Sequence, residues 1–284
     1  MNKQALALQE YIQRKHLAHL VEARQMGGKD IGTVITVSSG KGGVGKSTLG
    51  LNLGLATPKR TLLVDGDFLL GNLLTLTNNR AKTSWEEILT RRLSWETTLL
   101  SINAATDILA GQLLTSEDLL RVHATAPVLS ELVRQWKQAY DLILIDTAAG
   151  LGMRVIEWSL VADYVVIVTT PDPTSCANAY ALIKALSLSE QVQTLGLVVN
   201  QYRQDEDPRI VYKQLEIMVK NVLEQPLYYW GAIPWIQEIA LSARSQTPLL
   251  LQEEGREWRP LFLEILSVLG LEKQNAINSF QIIG

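Results

Sequence analysis

The stretch Ser39 to Thr48, SGKGGVGKST, leaves little freedom to the chain around it. Gly40, Gly45, Lys46 and Ser47 satisfy G-x-x-x-x-G-K-[ST], the pattern of a loop whose backbone N–H groups close on phosphate oxygens. Such a loop works where a strand delivers it and a helix starts at its end, because the helix N-terminus adds favourable partial charge. The flanks meet both demands. Thr33 to Val37 is an apolar, β-branched run that reads as a strand, and Ser47 to about Ala56 has helical composition. Further strand-like runs occur at Thr61 to Val64, Leu142 to Ile145, Tyr164 to Val168, Leu195 to Val199 and Tyr228 to Ile233, most of them separated by helical segments. Strands apolar on both faces belong in a parallel sheet covered on both sides. The expected fold is α/β: three α/β/α layers around a mostly parallel, twisted sheet, built as a phosphate-loop NTPase.

Between 72 and 135 the pattern is thinner, with helices expected around Ser84 to Leu93 and Ser116 to Trp136 and an extra strand near Asp107 to Leu109. Three regions follow: a helical extension and linker at 1–28, stopped by Gly27-Gly28; an ATPase domain at 29–272; and a tail at 273–284. Near the end, Trp258, Leu261, Phe262, Ile265, Leu266 and Leu269 fall at helical spacing, and the mixed charges beside them favour a core helix over a membrane-surface one. The lone Cys176 excludes an internal disulfide framework and a cysteine-pair metal or iron–sulfur clamp. Charge argues against constitutive DNA binding, since 26 basic and 29 acidic residues leave −3 and no basic block stands out. His16 and His19 share a helical face but lack a third ligand. Without a signal-peptide core or a membrane-spanning run, a cytoplasmic location is expected.

Within the loop, Gly40, Lys41, Gly42, Gly43, Val44, Gly45, Lys46, Ser47 and Thr48 are the expected nucleotide contacts, with Lys46 on the outer phosphates and Ser47 on magnesium. Leu142-Ile143-Leu144-Ile145-Asp146 carries a carboxylate to the end of a buried strand, where a Walker B aspartate holds the magnesium shell. Leu62-Leu63-Val64-Asp65-Gly66-Asp67 does the same with two carboxylates, Asp65 supporting magnesium and Asp67 positioning the attacking water. The guanine-reading Asn-Lys-x-Asp is replaced by Asn200-Gln201-Tyr202-Arg203, which makes ATP the better substrate; Asn200 is placed at the purine edge and Pro234-Trp235 over the ring. Lys41 lies on the outer lip, with little phosphate to reach in its own chain. Across a face-to-face dimer it would act on the partner's phosphates as an arginine finger does.

A loop reading KGGxGK[ST] resembles that of the deviant Walker A ATPases of the MinD and ParA type. Two longer segments, ILIDTAAGLG from Ile143 to Gly152 and VTTPDPTSCANAYALIKAL from Val168 to Leu186, resemble the FlhG (FleN) group within it, which controls the number and placement of bacterial flagella. The resemblance runs over roughly residues 29 to 272 and is weakest from 72 to 135. It implies an ATP-bound homodimer, slow magnesium-dependent ATP hydrolysis, and partners such as the GTPase FlhF, a flagellar transcription activator and switch-complex (C-ring) proteins. It also implies weak contact with the inner face of the membrane or the cell pole. Gln4, Ala5 and Leu8 match the group's FlhF-activating helix, whereas Lys3 and Gln9 depart from it, so an activator role and an ordinary packed helix both stay open. A MinD- or ParA-type role in division-site placement or DNA partition is the alternative.

Overall fold

A computed structural model describes residues 32–112, 125–188 and 194–271. The extension with Gln4, Ala5, Leu8, His16 and His19, and the tail from 273, lie outside the described residues. In chain order the elements are β1 (Thr33–Ser39), α1 (Lys46–Ala56), β2 (Thr61–Asp65), α2 (Leu73–Leu76), α3 (Trp85–Leu89), β3 (Leu100–Ser101), β4 (Thr106–Leu109), α4 (Thr125–Ala139), β5 (Leu142–Ala149), α5 (Met153–Val161), β6 (Tyr164–Thr169), α6 (Pro173–Ser187), β7 (Leu195–Tyr202), α7 (Pro208–Leu223), β8 (Leu227–Pro234), α8 (Gln237–Arg244) and α9 (Arg259–Val268).

The strands form one sheet in the order β3-β4-β2-β5-β1-β6-β7-β8. Every neighbouring pair is parallel except β3 with β4. Successive residues of a strand point to opposite faces, so Val34 joins a core with α3 to α7 while Ile35 joins one with α1 and α9. The three expected layers are therefore present. α1 is buried over most of its surface, since Leu49, Leu51, Leu53 and Leu55 surround it. α9 packs its Phe262, Ile265 and Leu266 into the core. The Arg259 guanidinium caps α1 by donating to the carbonyls of Leu55 and Ala56 at 2.9 and 2.6 Å, two of the acceptors a helix end leaves open.

One local reading is corrected and one element is added. The helix expected from Ser84 to Leu93 stops at Leu89: Arg91 turns into the left-handed region at φ 58°, and the amides of Arg92 and Leu93 fold back to the Glu87 carbonyl. Its start is firm, because Ser84 and Glu87 form a reciprocal capping box. The edge strand β3 carried no pattern to read, being two residues long. Asn103 builds its turn to β4 by accepting the N–H groups of Ala105 and Thr106, both at 2.8 Å.

Candidate active site

Parallel strands put their C-terminal ends on one rim, and the order β2-β5-β1 brings three predicted functional segments side by side there. Asp65 and Asp146 are register partners across the β2–β5 ladder, and β5 borders β1, which leads into the loop. Over this rim lies a cleft of about 810 Å³, lined by Gly42 to Thr48 except Val44, by Asp67 and Ala148, and by Asn200, Pro234 and Trp235.

Loop conformation explains its glycines. Gly43 and Gly45 have φ of 80° and 90°, where a side chain is strained. Gly40 answers a different need, for a Cβ there would lie 2.0 Å from the Asn178 carbonyl of α6. Val44 is buried and anchors the loop in the core. Lys46 is buried beside Asp146, whose charge it partly balances.

The carboxylates divide by depth. Asp146 is 3% exposed; burial pushes its pKa up to about 6, opposed by the Lys46 charge and the Ser47 hydroxyl. Asp65, 2% exposed, is pushed up to about 8, first by burial and then by the Asp146 charge. The N–H groups of Leu73 and Asp67 donate to it at 3.1 and 3.3 Å, and a Cβ on Gly71 would lie 2.6 Å from its Oδ2. Asp67 stands beyond the strand on the loop, where its Oδ1 accepts from Leu69 and Leu70 at 3.2 and 3.0 Å.

Asp146 Oδ1 is buried without a hydrogen-bond partner. An orphan carboxylate oxygen beside a serine hydroxyl and a second buried carboxyl is an all-oxygen donor set, which suits a hard divalent cation such as magnesium. Ser47, Asp146 and Asp65 thus fit the group expected there.

Two predicted residues already have partners within the chain. Asn200 lines the cleft, but its Nδ2 donates to the Val44 carbonyl at 2.7 Å and its Oδ1 accepts from the Gln201 amide. It braces the phosphate loop with one amide N–H and keeps the second for a ligand in the cleft. Lys41 Nζ donates to Thr174 Oγ1 at 2.8 Å and meets Asp172 Oδ1 at 3.4 Å. The Asp172 carboxyl is held at about 2 by the Thr174 hydroxyl, the Ser175 amide and Lys41. Neither Asp172 nor Thr174 was singled out from sequence, although Asp172-Pro173 is a helix-start signal and Asp172 does cap α6. Gln201, which also lines the cleft, and Trp158, which donates to the Gly66 carbonyl, were missed as well.

The AAA domain family matches residues 32–197. The antiactivator FleN of Pseudomonas aeruginosa is 28% identical over 229 residues, covering 78% of this chain and 81% of that protein. The flagellum site-determining protein YlxH of Helicobacter pylori is 31% identical over 205 residues, covering 70% and 68%. Among solved structures, the septum site-determining protein MinD of Pyrococcus horikoshii, complexed with Mg-ADP, superposes with a TM-score of 0.66 at 24% identity, covering 84% of this chain and 95% of that one.

Proposed function

Since the chain belongs to the AAA domain ATPases of the MinD and ParA type, we propose that it is an ATP-driven dimerising switch that regulates flagellar number and placement. What carries the switch reading is the division of labour between two lysines. Lys46 is buried beside Asp146, whereas Lys41 sits half-exposed on the lip and points away to Asp172 and Thr174 of α6 and its cap.

Magnesium, when bound, neutralises the outer phosphates and orders their oxygens. The loop amides from Gly42 to Thr48 and the Lys46 ammonium grip those oxygens, with Ser47 and Asp146 as cation ligands and Asp65 supporting them. Pro234 and Trp235 wall the end of the cleft where the adenine lies, beside apolar Ile239 and Ala243 of α8. Asp67 orients the water that attacks the terminal phosphorus, and the bond to the bridging oxygen breaks to release ADP and phosphate. Lys41 of a second copy, freed from Asp172 and Thr174, stabilises the charge that develops.

The flagellar role rests on the likeness to FleN and YlxH. On this reading an FlhF-type GTPase, a flagellar transcription activator and switch-complex proteins read the ATP-bound dimer, with Gln4, Ala5 and Leu8 offered to the GTPase. No helix among the described residues is long and apolar enough to cross a membrane; the membrane or polar contact that belongs to this reading is a peripheral one. Division-site placement is the second reading, supported by the likeness to the septum site-determining protein MinD of Synechocystis, 30% identical over 250 residues.

Two experiments test the proposal. Asp67→Ala should hold an ATP-bound dimer on a sizing column and abolish phosphate release; a variant that stays monomeric and still hydrolyses ATP rejects the switch. Deleting the gene should change the number or position of flagella counted by electron microscopy, whereas normal flagella with misplaced septa would favour the second reading.

A further inference from the structure

The two neighbours of Asp67 in the chain both touch a side chain that does not line the cleft. Gly66, between the two carboxylates, is fixed at both backbone groups: its N–H donates to the Asp146 carbonyl at 2.8 Å, and its carbonyl accepts the indole N–H of Trp158 at 3.1 Å. There is no slack, for a Cβ on Gly66 would lie 2.7 Å from that indole nitrogen and 2.9 Å from the Asp146 carbonyl. On the other side of Asp67, Phe68 meets Trp158 edge-on, with centroids 6.0 Å apart at 82°, and packs at 4.6 Å on Trp85. The Arg154 guanidinium lies 5.5 Å over the Phe68 ring. Both neighbours of Asp67 therefore rest on one fully buried indole of α5. The carboxylate's Oδ1 bonds are to amides of its own loop, so where that loop sits decides where the carboxylate points.

We propose that Trp158 is a positioning residue for ATP hydrolysis: through the Gly66 carbonyl and the Phe68 ring it sets the place of Asp67 and ties it to α5. This rests on the reading of Asp67 as the residue that orients water. It gives α5 a task beyond packing. The helix begins at Met153, next to Leu151 on the rim, and both are about half exposed.

The test uses Trp158→Phe, which keeps an aromatic ring and removes the N–H. In single-turnover assays kcat should fall by roughly tenfold, because small misplacements of an orienting group are costly. The Kd for a non-hydrolysable ATP analogue should stay within about twofold, since the indole touches no loop residue that grips phosphate. In nucleotide-free protein, amide hydrogen exchange at Asp67 to Leu70 should quicken several-fold, as expected for one lost hydrogen bond, while Gly43 to Thr48 keep their rates. A cycle with Asp67→Asn completes the design, and the double variant should lose no more than Asp67→Asn alone. Phe68→Leu, which keeps the hydrogen bond but removes the ring contact, should show the same kcat-specific loss and serves if Trp158→Phe does not fold. Normal turnover in both variants, additive losses in the cycle, or a loss of analogue binding equal to the loss of kcat would each overturn the proposal. Wild-type hydrolysis by Asp67→Asn would instead remove the premise, a result visible without any Trp158 variant.

Discussion

Replacing Asp65 by Asn should stabilise the nucleotide-free protein while damaging its function. The folded chain holds this carboxyl at about 8, against 3.8 for a solvated side chain, because burial and the Asp146 charge disfavour ionisation. The sign follows from proton binding. Between these two pH values the folded state keeps a proton that the unfolded state releases, so stability is full below about 4 and falls as pH rises toward 8. At about 1.4 kcal/mol per pKa unit the cost at pH 7 reaches about 4 kcal/mol, and relaxation of the 66–72 loop reduces it to about 2 kcal/mol. Asn cannot ionise, keeps the shape, and can accept from one of the two amides that bond to Asp65. With 2–4 °C per kcal/mol for a domain of this size, the variant should melt about 4–8 °C above wild type at pH 7, and the two should converge near pH 4.5. Differential scanning calorimetry without nucleotide reads this directly. Mg-ATP should then raise the wild-type midpoint more than the variant's, because a bound cation removes the penalty only where a carboxylate exists. Equal pH slopes for the two proteins, or a variant less stable at pH 7, would refute the reasoning.

Three other substitutions probe separate links. Asn200→Ala removes the brace on the Val44 carbonyl, and ATP affinity measured by titration calorimetry should weaken about tenfold, in line with leaving a buried acceptor unpaired; an unchanged Kd would show that the loop holds its shape unaided. Asp172→Asn keeps the α6 cap but removes the charge opposite Lys41. ATP-dependent dimers should therefore form at lower protein concentration by light scattering, with the difference fading at high salt, and dimerisation no easier than in wild type would count against the tether. Ser84→Ala breaks the α3 capping box and should cost about 1 kcal/mol, lowering the melting midpoint by about 2–4 °C with ATP turnover unchanged; lost turnover would give α3 a part in catalysis.

Much of the site was legible along the chain because its signals are local. The strand, loop and helix around Gly40 to Ser47 share one stretch, and the carboxylates of Asp65 and Asp146 each end an apolar run that can be read in a handful of residues. The two-residue β3 fell below the length at which a pattern exists, and the early end of α3 depends on Arg91 adopting a conformation its side chain does not favour.

Residue order alone determined a parallel α/β sheet, a phosphate loop and acidic strand ends. Tertiary structure decided how those parts are held. Lys41 is bound by Asp172 across 131 residues, Gly66 by Trp158 across 92, and Val44 by Asn200 across 156. Periodicity and turn chemistry act within a few residues and leave their mark in the sequence. Contacts over such separations exist only after the order β2-β5-β1-β6-β7 has placed the strand ends in a row, and that order is set by how the helices bury both faces of the sheet, an energy shared among dozens of core side chains.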